Sequence, residues 1–352
     1  MSAPEITSAH LTPAELAGIT KVMSVAGTTP VGDLRGRLLA GGRSNLTFLL
    51  EDDEQAWVMR TPPRAGRTPS AHDVAREFRV VQALGATHVP VAPAIVLHED
   101  DAILGGPFAI CGFVDGRTVQ TREQLAGIDD AGIGATIRAM MDALAALHDV
   151  DYVAVGLARF GRPGGYAARQ LKRWSGQWDI VGTAFDERVQ ALATDLATRL
   201  GDRLPAQQAT GIVHGDYRLD NTLVRVGSDA LGATATVAAI VDWELSTIGD
   251  PVADLANMCV QHDPSFDLIV GQPAAWTSDR LPDAEGLAEA YEKAGGVPLV
   301  DFEQHLALGY FKLAVIAAGI DHRYRAGATH GDGFDTAGQS VAPLLEAGLR
   351  RL

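Results

Sequence analysis

Cysteine is nearly absent. Only Cys111 and Cys259 occur in 352 residues, both among apolar neighbours. Two reduced, buried thiols of a cytoplasmic protein are therefore expected, rather than a disulfide framework or a thiolate metal cluster. Basic charge is also scarce: 29 Lys and Arg face 44 Asp and Glu, for a formal net charge of -15. That balance argues against a nucleic-acid backbone as the main partner, because proteins that bind one present basic surfaces, although a local basic groove is still compatible with it. No apolar run reaches the roughly 18 residues of a membrane span. The most apolar late stretch, Phe311 to Ile320, is short and carries Lys312. The N-terminal stretch has no basic start followed by an apolar core, so no secretory leader is expected. Internal repeats, low-complexity tracts and long linkers are missing as well. What is present is ordinary for a globular chain: 47% apolar and 21% charged residues, in a length that suits one large domain or two lobes.

The densest chemistry lies in residues 211–255. A short apolar strand runs into His214-Gly215-Asp216, with Asn221 five residues after the aspartate. Thr222 to Val226 alternates as a strand, and Gly227-Ser228-Asp229 with Gly232 supplies turn residues. The apolar run Val237 to Val241 then leads into Asp242-Trp243-Glu244. A hairpin of this form brings Asp242 back beside Asn221. Asp216, Asn221 and Asp242 are thereby expected to converge as an active centre.

Upstream, Thr12 or Ser8 caps an expected helix with Pro13 in its first turn. A strand over Leu34 to Leu39 is followed by a turn containing Gly41, Gly42, Arg43, Ser44 and Asn45, then by the apolar Phe48-Leu49-Leu50. Strand, glycine-containing turn and strand is the arrangement that covers nucleotide phosphates with backbone N–H groups, and equally that of a plain turn. Gly42, Ser44 and Asn45 are the candidates within it. The strand Ala56 to Arg60 ends on a cation. A helix over residues 71–84 presents Val74, Phe78 and Val81 on one face with Glu77 beside them. A cation on a third strand and a glutamate on the next helix are the order in which a kinase-like lobe pairs them; a surface ion pair is the alternative. A strand over Phe108 to Val114 would lead to a lobe boundary near residue 114, where backbone groups such as those of Gly112 and Val114 read an adenine ring.

Residues beyond 115 read as mostly helical. Asp129 to His148 places Ile133, Ile137, Met140, Met141, Leu144 and Leu147 on one face. His148 is expected to interact with the final carbonyls of that helix. The helix over Tyr166 to Trp178 carries Trp174 and Trp178, which suit either a core or a substrate pocket. A helix follows with Leu192, Leu196 and Leu200 as its stripe, and Asp250 is expected to cap a helix opening at Pro251. A long apolar helix over Phe302 to Ile320 should lead to the basic Asp321-His322-Arg323-Tyr324-Arg325.

The motif His214-Gly215-Asp216-x-x-x-x-Asn221, followed by an apolar strand and Asp242, resembles the aminoglycoside phosphotransferase family, a small-molecule branch of the protein-kinase-like fold. Gly215 stands where protein kinases carry arginine, and Trp243-Glu244 where they carry Phe-Gly. The runs DWELSTIGDPVADLA, REFRVVQAL and WSGQW are similar, more narrowly, to the kinase-like N-terminal region of acyl-CoA dehydrogenase family members ten and eleven and to stand-alone bacterial relatives. The resemblance covers roughly residues 30–345. It implies an α+β, bilobal fold: a nucleotide-binding lobe over residues 1–114, made of a small antiparallel sheet and one helix, and a larger, mostly helical catalytic and substrate-binding lobe over 115–352.

The same resemblance implies ATP and Mg²⁺ as cofactors and transfer of the γ-phosphate to a hydroxyl of a small molecule, a hydroxyacyl-CoA or an antibiotic-like alcohol. Asp216 would orient that hydroxyl and take its proton late, since an aspartate is far too weak a base for a free alcohol. Asn221 and Asp242 would give Mg²⁺ hard oxygens. Asp254 would support the backbone of the catalytic turn. Arg60, with Glu77, replaces the usual lysine as phosphate ligand, with different reach and geometry. Trp174, Trp178, Lys312 and Arg323 are the substrate candidates, the two cations suiting an anionic group. No nucleic acid or membrane is expected as partner, and a homodimer is compatible with the sequence. Two other readings stand beside this one. One is a non-catalytic nucleotide-binding protein of the same fold; the other is a metal-dependent hydrolase using His214, Asp216, Asp242 and His262.

Overall fold

Alternating apolar residues between turns fold into antiparallel strands in the computed structural model of the chain, which describes residues 10–40, 45–63, 73–230, 232–327 and 334–352. Strands β1 (Arg35–Ala40), β2 (Leu46–Glu51), β3 (Ala56–Thr61), β4 (Ala94–His98) and β5 (Phe108–Gly112) form one sheet in the order β1-β2-β3-β5-β4. Helix α1 (Pro13–Val25) precedes the sheet, and α2 (Val74–Leu84) joins β3 to β4. These elements belong to the first of two units; it runs to Asp115 and also takes in Asp242–Glu244. The second unit comprises Gly116–Val241 and Leu245–Leu352.

Successive side chains of a strand point to opposite faces, and this decides what β3 presents where. Trp57 and Met59 join Phe48, Leu50, Phe108 and Ile110 in a core completed by Ile19 and Met23 of α1. Ala109, on the other face, packs with Val74 and Phe78 of α2. The register sets Arg60 opposite Ala109, which delivers the guanidinium to the α2 face. Helix α1 begins as expected: Thr12 caps it in a reciprocal capping box with Glu15, and Pro13 opens it. Both helices that the sequence places in residues 1–114 are present, one more than the single helix implied by the resemblance. The last strand is shorter than expected and stops at Gly112, after which the Phe113 N–H still donates to Ala56 O (3.1 Å).

The second unit is mostly helical. It contains α3 (Arg122–Ala126), α4 (Asp130–His148), α5 (Tyr166–Val181), α6 (Glu187–Asp202), α7 (Val252–Val260), α8 (Phe266–Val270), α9 (Ala284–Lys293), α10 (Phe302–Arg325) and α11 (Val341–Leu349). Two small antiparallel pairs interrupt them: β6 (Gly211–Val213) with β9 (Thr247–Gly249), and β7 (Thr222–Asp229) with β8 (Gly232–Ile240). Asp129 caps α4 through Gly132 N (2.7 Å), and the buried stripe of α4 packs on the β7–β8 hairpin. That hairpin is longer than the sequence suggested. Gly227, Ser228 and Asp229 continue the ladder to an Asp229–Gly232 pair, in keeping with the preference of hairpins for short connections.

Helix α10 is the axis of the unit, packing against α5, α6, α7 and α11. It is buried nearly all round between His305 and Asp321, as its all-round apolar sequence requires. It also runs past Ile320 to Arg325. Asp321 binds Arg325 one turn on (2.7 Å), and the basic residues of the last turn suit the carbonyl end of a helix. The expected basic patch is thus the end of α10 itself. No helix among the described residues is long and apolar enough to cross a membrane.

Ahead of α7, the Asp250 carboxylate accepts from Val252 N (3.2 Å), and it lies 3.6 Å from His305 Nε2 of α10. Burial pushes Asp250 up to about 6, against the pull of the Val252 N–H and His148. Burial pushes His305 down to about 4 from an ordinary 6.5. Between pH 4 and 6.5 native His305 binds fewer protons than the unfolded chain, so its contribution to stability is complete above that window and lost as pH falls through it. Asp250 has the opposite sign: its native state binds more protons, and stability falls as pH rises from about 4 to about 6. His305→Gln removes only the first slope. Relative to wild type, that variant is expected to lose about 3 kcal/mol of stability between pH 4 and 6.5, read by urea unfolding at a series of pH values. A difference that stays constant across the range would show that burial does not hold His305 neutral.

Candidate active site

Strand β6 ends at Val213, and the chain turns through His214-Gly215-Asp216. The turn is held from below by Asp254 in the first turn of α7, a fully buried carboxylate. Its Oδ2 accepts from His214 N (2.6 Å) and its Oδ1 from Gly215 N (2.7 Å). His148 Nε2 donates to the same Oδ2 (3.3 Å), which leaves His148 Nδ1 to accept the Tyr291 hydroxyl (2.6 Å). His148 therefore does not cap its own helix, as the sequence suggested. Its side chain is buried, and a buried imidazole is satisfied by the polar groups that face it. Above the turn, Lys312 Nζ of α10 donates to Gly215 O (3.1 Å).

Asp216 is fixed on both oxygens. Gln261 Nε2 donates to Oδ1 (2.7 Å), while Asn221 Nδ2 donates to Oδ2 (2.9 Å) and to the Asp216 carbonyl (2.8 Å). Arg218 approaches Oδ2 (3.3 Å), pairs with Asp220 (3.1 Å) and lies over the Phe266 ring at 5.0 Å. Burial pushes the Asp216 carboxyl up, but Arg218, the Gln261 hydrogen bond, Lys312 and His214 outweigh it and hold the group below the usual carboxylate range. The result is an oriented, ionised acceptor whose Oδ2 takes two donors, Asn221 and Arg218, and whose Oδ1 takes one, Gln261. Gln261 and Arg218 were missed in the sequence. The signal for Gln261 was its position seven residues after Asp254, two helical turns along the same face.

In the first unit Arg60 reaches α2, as the strand register requires. Its Nη1 lies 2.7 Å from Glu77 Oε2, and it meets Asp242 Oδ1 at 3.3 Å. Asn45 Nδ2 donates to Glu77 Oε1 (2.8 Å), so Asn45 belongs with this cluster. Burial pushes Glu77 up to about 7, against Arg60 and Asn45. Burial tends to lower Arg60, but Glu77, Asp242 and Glu244 raise its guanidinium overall. The surface ion pair weighed from the sequence does not describe this: Glu77 is 8% exposed. Asp242 adopts φ of 65°, a left-handed conformation uncommon for a residue with a side chain and enriched at functional sites.

The model of the phosphotransferase enzyme family matches residues 35–298, a span that contains every group just described except Lys312. The chain belongs to this family. It is 32% identical over 324 residues to acyl-CoA dehydrogenase family member 10 of Mus musculus, covering 91% of the chain and 29% of that relative. It is likewise 32% identical to member 11 of Gallus gallus, of which it spans 40%. Among solved structures, a Ralstonia eutropha protein provisionally named an aminoglycoside phosphotransferase is 33% identical, with a TM-score of 0.75 over 91% of this chain and 93% of that one. An aminoglycoside phosphotransferase in ternary complex with ADP and hygromycin B shares the fold, with a TM-score of 0.58 at 16% identity over 95% and 98% of the two chains. The kinase-like α+β fold expected from the motif is thereby the fold of the protein.

The remaining candidates of this family member divide. Gly42 and Ser44 lie outside the described residues. Gly112 ends β5, and its N–H is spent on Pro93 O (2.8 Å); Val114 follows the strand and is half-buried. Trp174 and Trp178 part company. Trp174 lines a small cavity that Lys312 also lines, while Trp178 stacks on Phe185 (5.8 Å). Lys312 and Arg323 are not brought together: eleven residues of α10 separate them, about 16 Å along the axis, and Arg323 is exposed. One small anionic group cannot bridge both. The hydrolase reading fails on His214, whose Nδ1 accepts from Asp216 N (3.3 Å) and whose Nε2 donates to Val241 O (3.0 Å), leaving no nitrogen for a metal. Hard oxygens for Mg²⁺ are available on each side of the motif. Asn221 has committed its nitrogen to Asp216, which fixes its amide oxygen as the free end, and Asp242 meets Arg60 through Oδ1 alone.

Proposed function

We propose that this family member is an ATP- and Mg²⁺-dependent O-phosphotransferase that acts on a hydroxyl of a small molecule. The observation that carries the reading is Asp216, whose two oxygens are aimed by Gln261 and Asn221 and whose charge is kept by its surroundings. Such a group orients an alcohol and receives its proton as the O–P bond forms. Asn221 and Asp242 are the Mg²⁺ ligands in this reading; two protein oxygens suit a cation that keeps waters and phosphate oxygens. When bound, Mg²⁺ supplies charge neutralisation at the triphosphate. Arg60 binds the phosphates from the lobe of residues 1–114, and Glu77 with Asn45 aims it. Residues 115–352 carry the acceptor, a hydroxyacyl-CoA or an antibiotic-like alcohol. Support for a nucleotide comes from the ADP held by a fold relative, and support for a small-molecule acceptor from the hygromycin B beside it.

The non-catalytic alternative drew on arginine in place of lysine. Against it, Arg60 makes the glutamate pair at 2.7 Å and the Asp242 contact at 3.3 Å. Phosphorus NMR on the purified protein with ATP, Mg²⁺ and a panel of alcohols tests the choice. The expected result is ADP formation with a new phosphomonoester signal for at least one alcohol, abolished by chelation of Mg²⁺. Saturable ATP binding without any transfer across the panel would favour the non-catalytic reading.

A further inference from the structure

Three helices of the second unit each turn a polar face toward the small cavity that Trp174 and Lys312 share. Helix α5 contributes Tyr166, Gln170 and Trp174, spaced four residues apart. Helix α7 contributes Asn257, one turn before the Gln261 that grips Asp216. Helix α10 contributes His305 and Lys312, seven apart and so on one face. The buried part of a junction between packed helices is ordinarily filled by apolar side chains, since an unpaired polar group there costs about 1–3 kcal/mol. Here two of the polar groups make no hydrogen bond among the described residues, His305 having only the Asp250 carboxylate at 3.6 Å. His305 is 3% exposed and its Nε2 makes no hydrogen bond; Asn257 is 8% exposed and its side-chain amide makes none among the described residues. The cavity is connected to the catalytic turn by Lys312, whose Nζ donates to Gly215 O.

We infer that this cavity is the acceptor subsite and that it takes a neutral carbonyl oxygen of the acceptor molecule. The inference rests on the phosphotransferase reading for the word acceptor, but the cavity and its ligand class follow from the groups that line it. Those groups are mainly donors. Gln170 Oε1 already accepts from Trp174 Nε1 (3.0 Å), so Gln170 turns its NH₂ outward. Lys312 has N–H groups beyond the one given to Gly215, and Tyr166 has its hydroxyl. A carboxylate fits less well. The buried Lys312 ammonium is already opposed by Asp216 and Asp254, and Tyr166 sits in the field of Asp250 and Asp254. A carbonyl accepts the same hydrogen bonds without adding a further negative charge to that set. It would leave the hydroxyl of the same molecule to be turned by Asp216, on the far side of Gly215 from its own anchor.

Indole N–H signals give a test that needs no turnover. The chain has five tryptophans, and the Trp174 signal is assigned by its loss in Trp174→Phe. The protein is titrated with butyramide and, separately, with butyrate, which match in shape and differ in charge. Butyramide is expected to move the Trp174 indole signal saturably and to leave that of Trp178 in place. Lys312→Met should weaken that response at least fivefold, with folding of the variant confirmed by its unchanged remaining indole signals. His305→Asn provides a second probe of the same wall should the lysine variant fail to fold. Butyrate should produce no comparable shift. A response to butyrate equal to or greater than that to butyramide, or no response to either, overturns the inference. Because the readout is binding, a chain that binds butyramide here yet transfers no phosphate would fail the functional proposal and keep the subsite.

Discussion

Asp216→Asn is expected to lower ADP release by about 10²–10⁴-fold, the range in which a positioned proton acceptor contributes to a transition state. Nucleotide affinity should change less than about threefold, because charge on the phosphates is met by other residues. The structural reason for the loss is twofold. The substitution removes the charge that would receive the alcohol proton. It also replaces one oxygen by an NH₂ facing a donor that is already in place, Gln261 Nε2 on one side or Asn221 Nδ2 on the other. Two opposed donors cannot share a hydrogen bond, so the residual amide is turned as well as neutral. Steady-state ADP release and an equilibrium titration with a fluorescent ATP analogue separate the two effects. A variant retaining a tenth or more of wild-type turnover would place the proton acceptor elsewhere.

Asp254→Ala is expected to cost at least about 4 kcal/mol of stability and, with it, about 5 °C in Tm. The carboxylate is fully buried, and it is the partner of two backbone N–H groups and one imidazole. Alanine leaves all three donors without an acceptor, and each buried orphan costs about 1–3 kcal/mol. Asp254→Asn should recover little, because its NH₂ faces the same donors. Urea unfolding and calorimetry read the loss. Turnover per folded molecule should also fall, since His214 and Gly215 set where Asp216 begins. A loss under about 1 kcal/mol would mean that the turn is held by something other than this carboxylate.

Local patterns carried the elements into the sequence reading and stopped where long-range contacts took over. The stripe of α4, the cap at Thr12 and the β7–β8 hairpin are set by neighbours a few residues away, and these were legible. Arg60 and Glu77 were legible as an order along the chain, because a strand period of two and the next helix leave few ways to place them. His148 was misread because its partners, Asp254 and Tyr291, are over a hundred residues distant and only packing brings them near. The end of α10 was set too early for a related reason. Hydropathy falls after Ile320, but the Asp321–Arg325 pair carries the helix on. The polar cavity was hidden because its walls come from three separate helices, each of which alone reads as a helix with a few polar residues on its buried side.

Gly215 limits how its turn could be placed under control. Its φ is 88°, and a Cβ placed there would meet Leu245 O at 2.8 Å, against backbone that cannot swing aside. The arginine that protein kinases carry at this point of the motif is thus barred by sterics as well as by conformation. In switches of the protein-kinase type, new arginine–phosphoresidue pairs order a loop after the loop is phosphorylated. A chain whose catalytic turn admits only glycine cannot acquire an arginine at this position by one substitution. A Gly215→Arg exchange would dismantle the turn before it could install a switch of that kind.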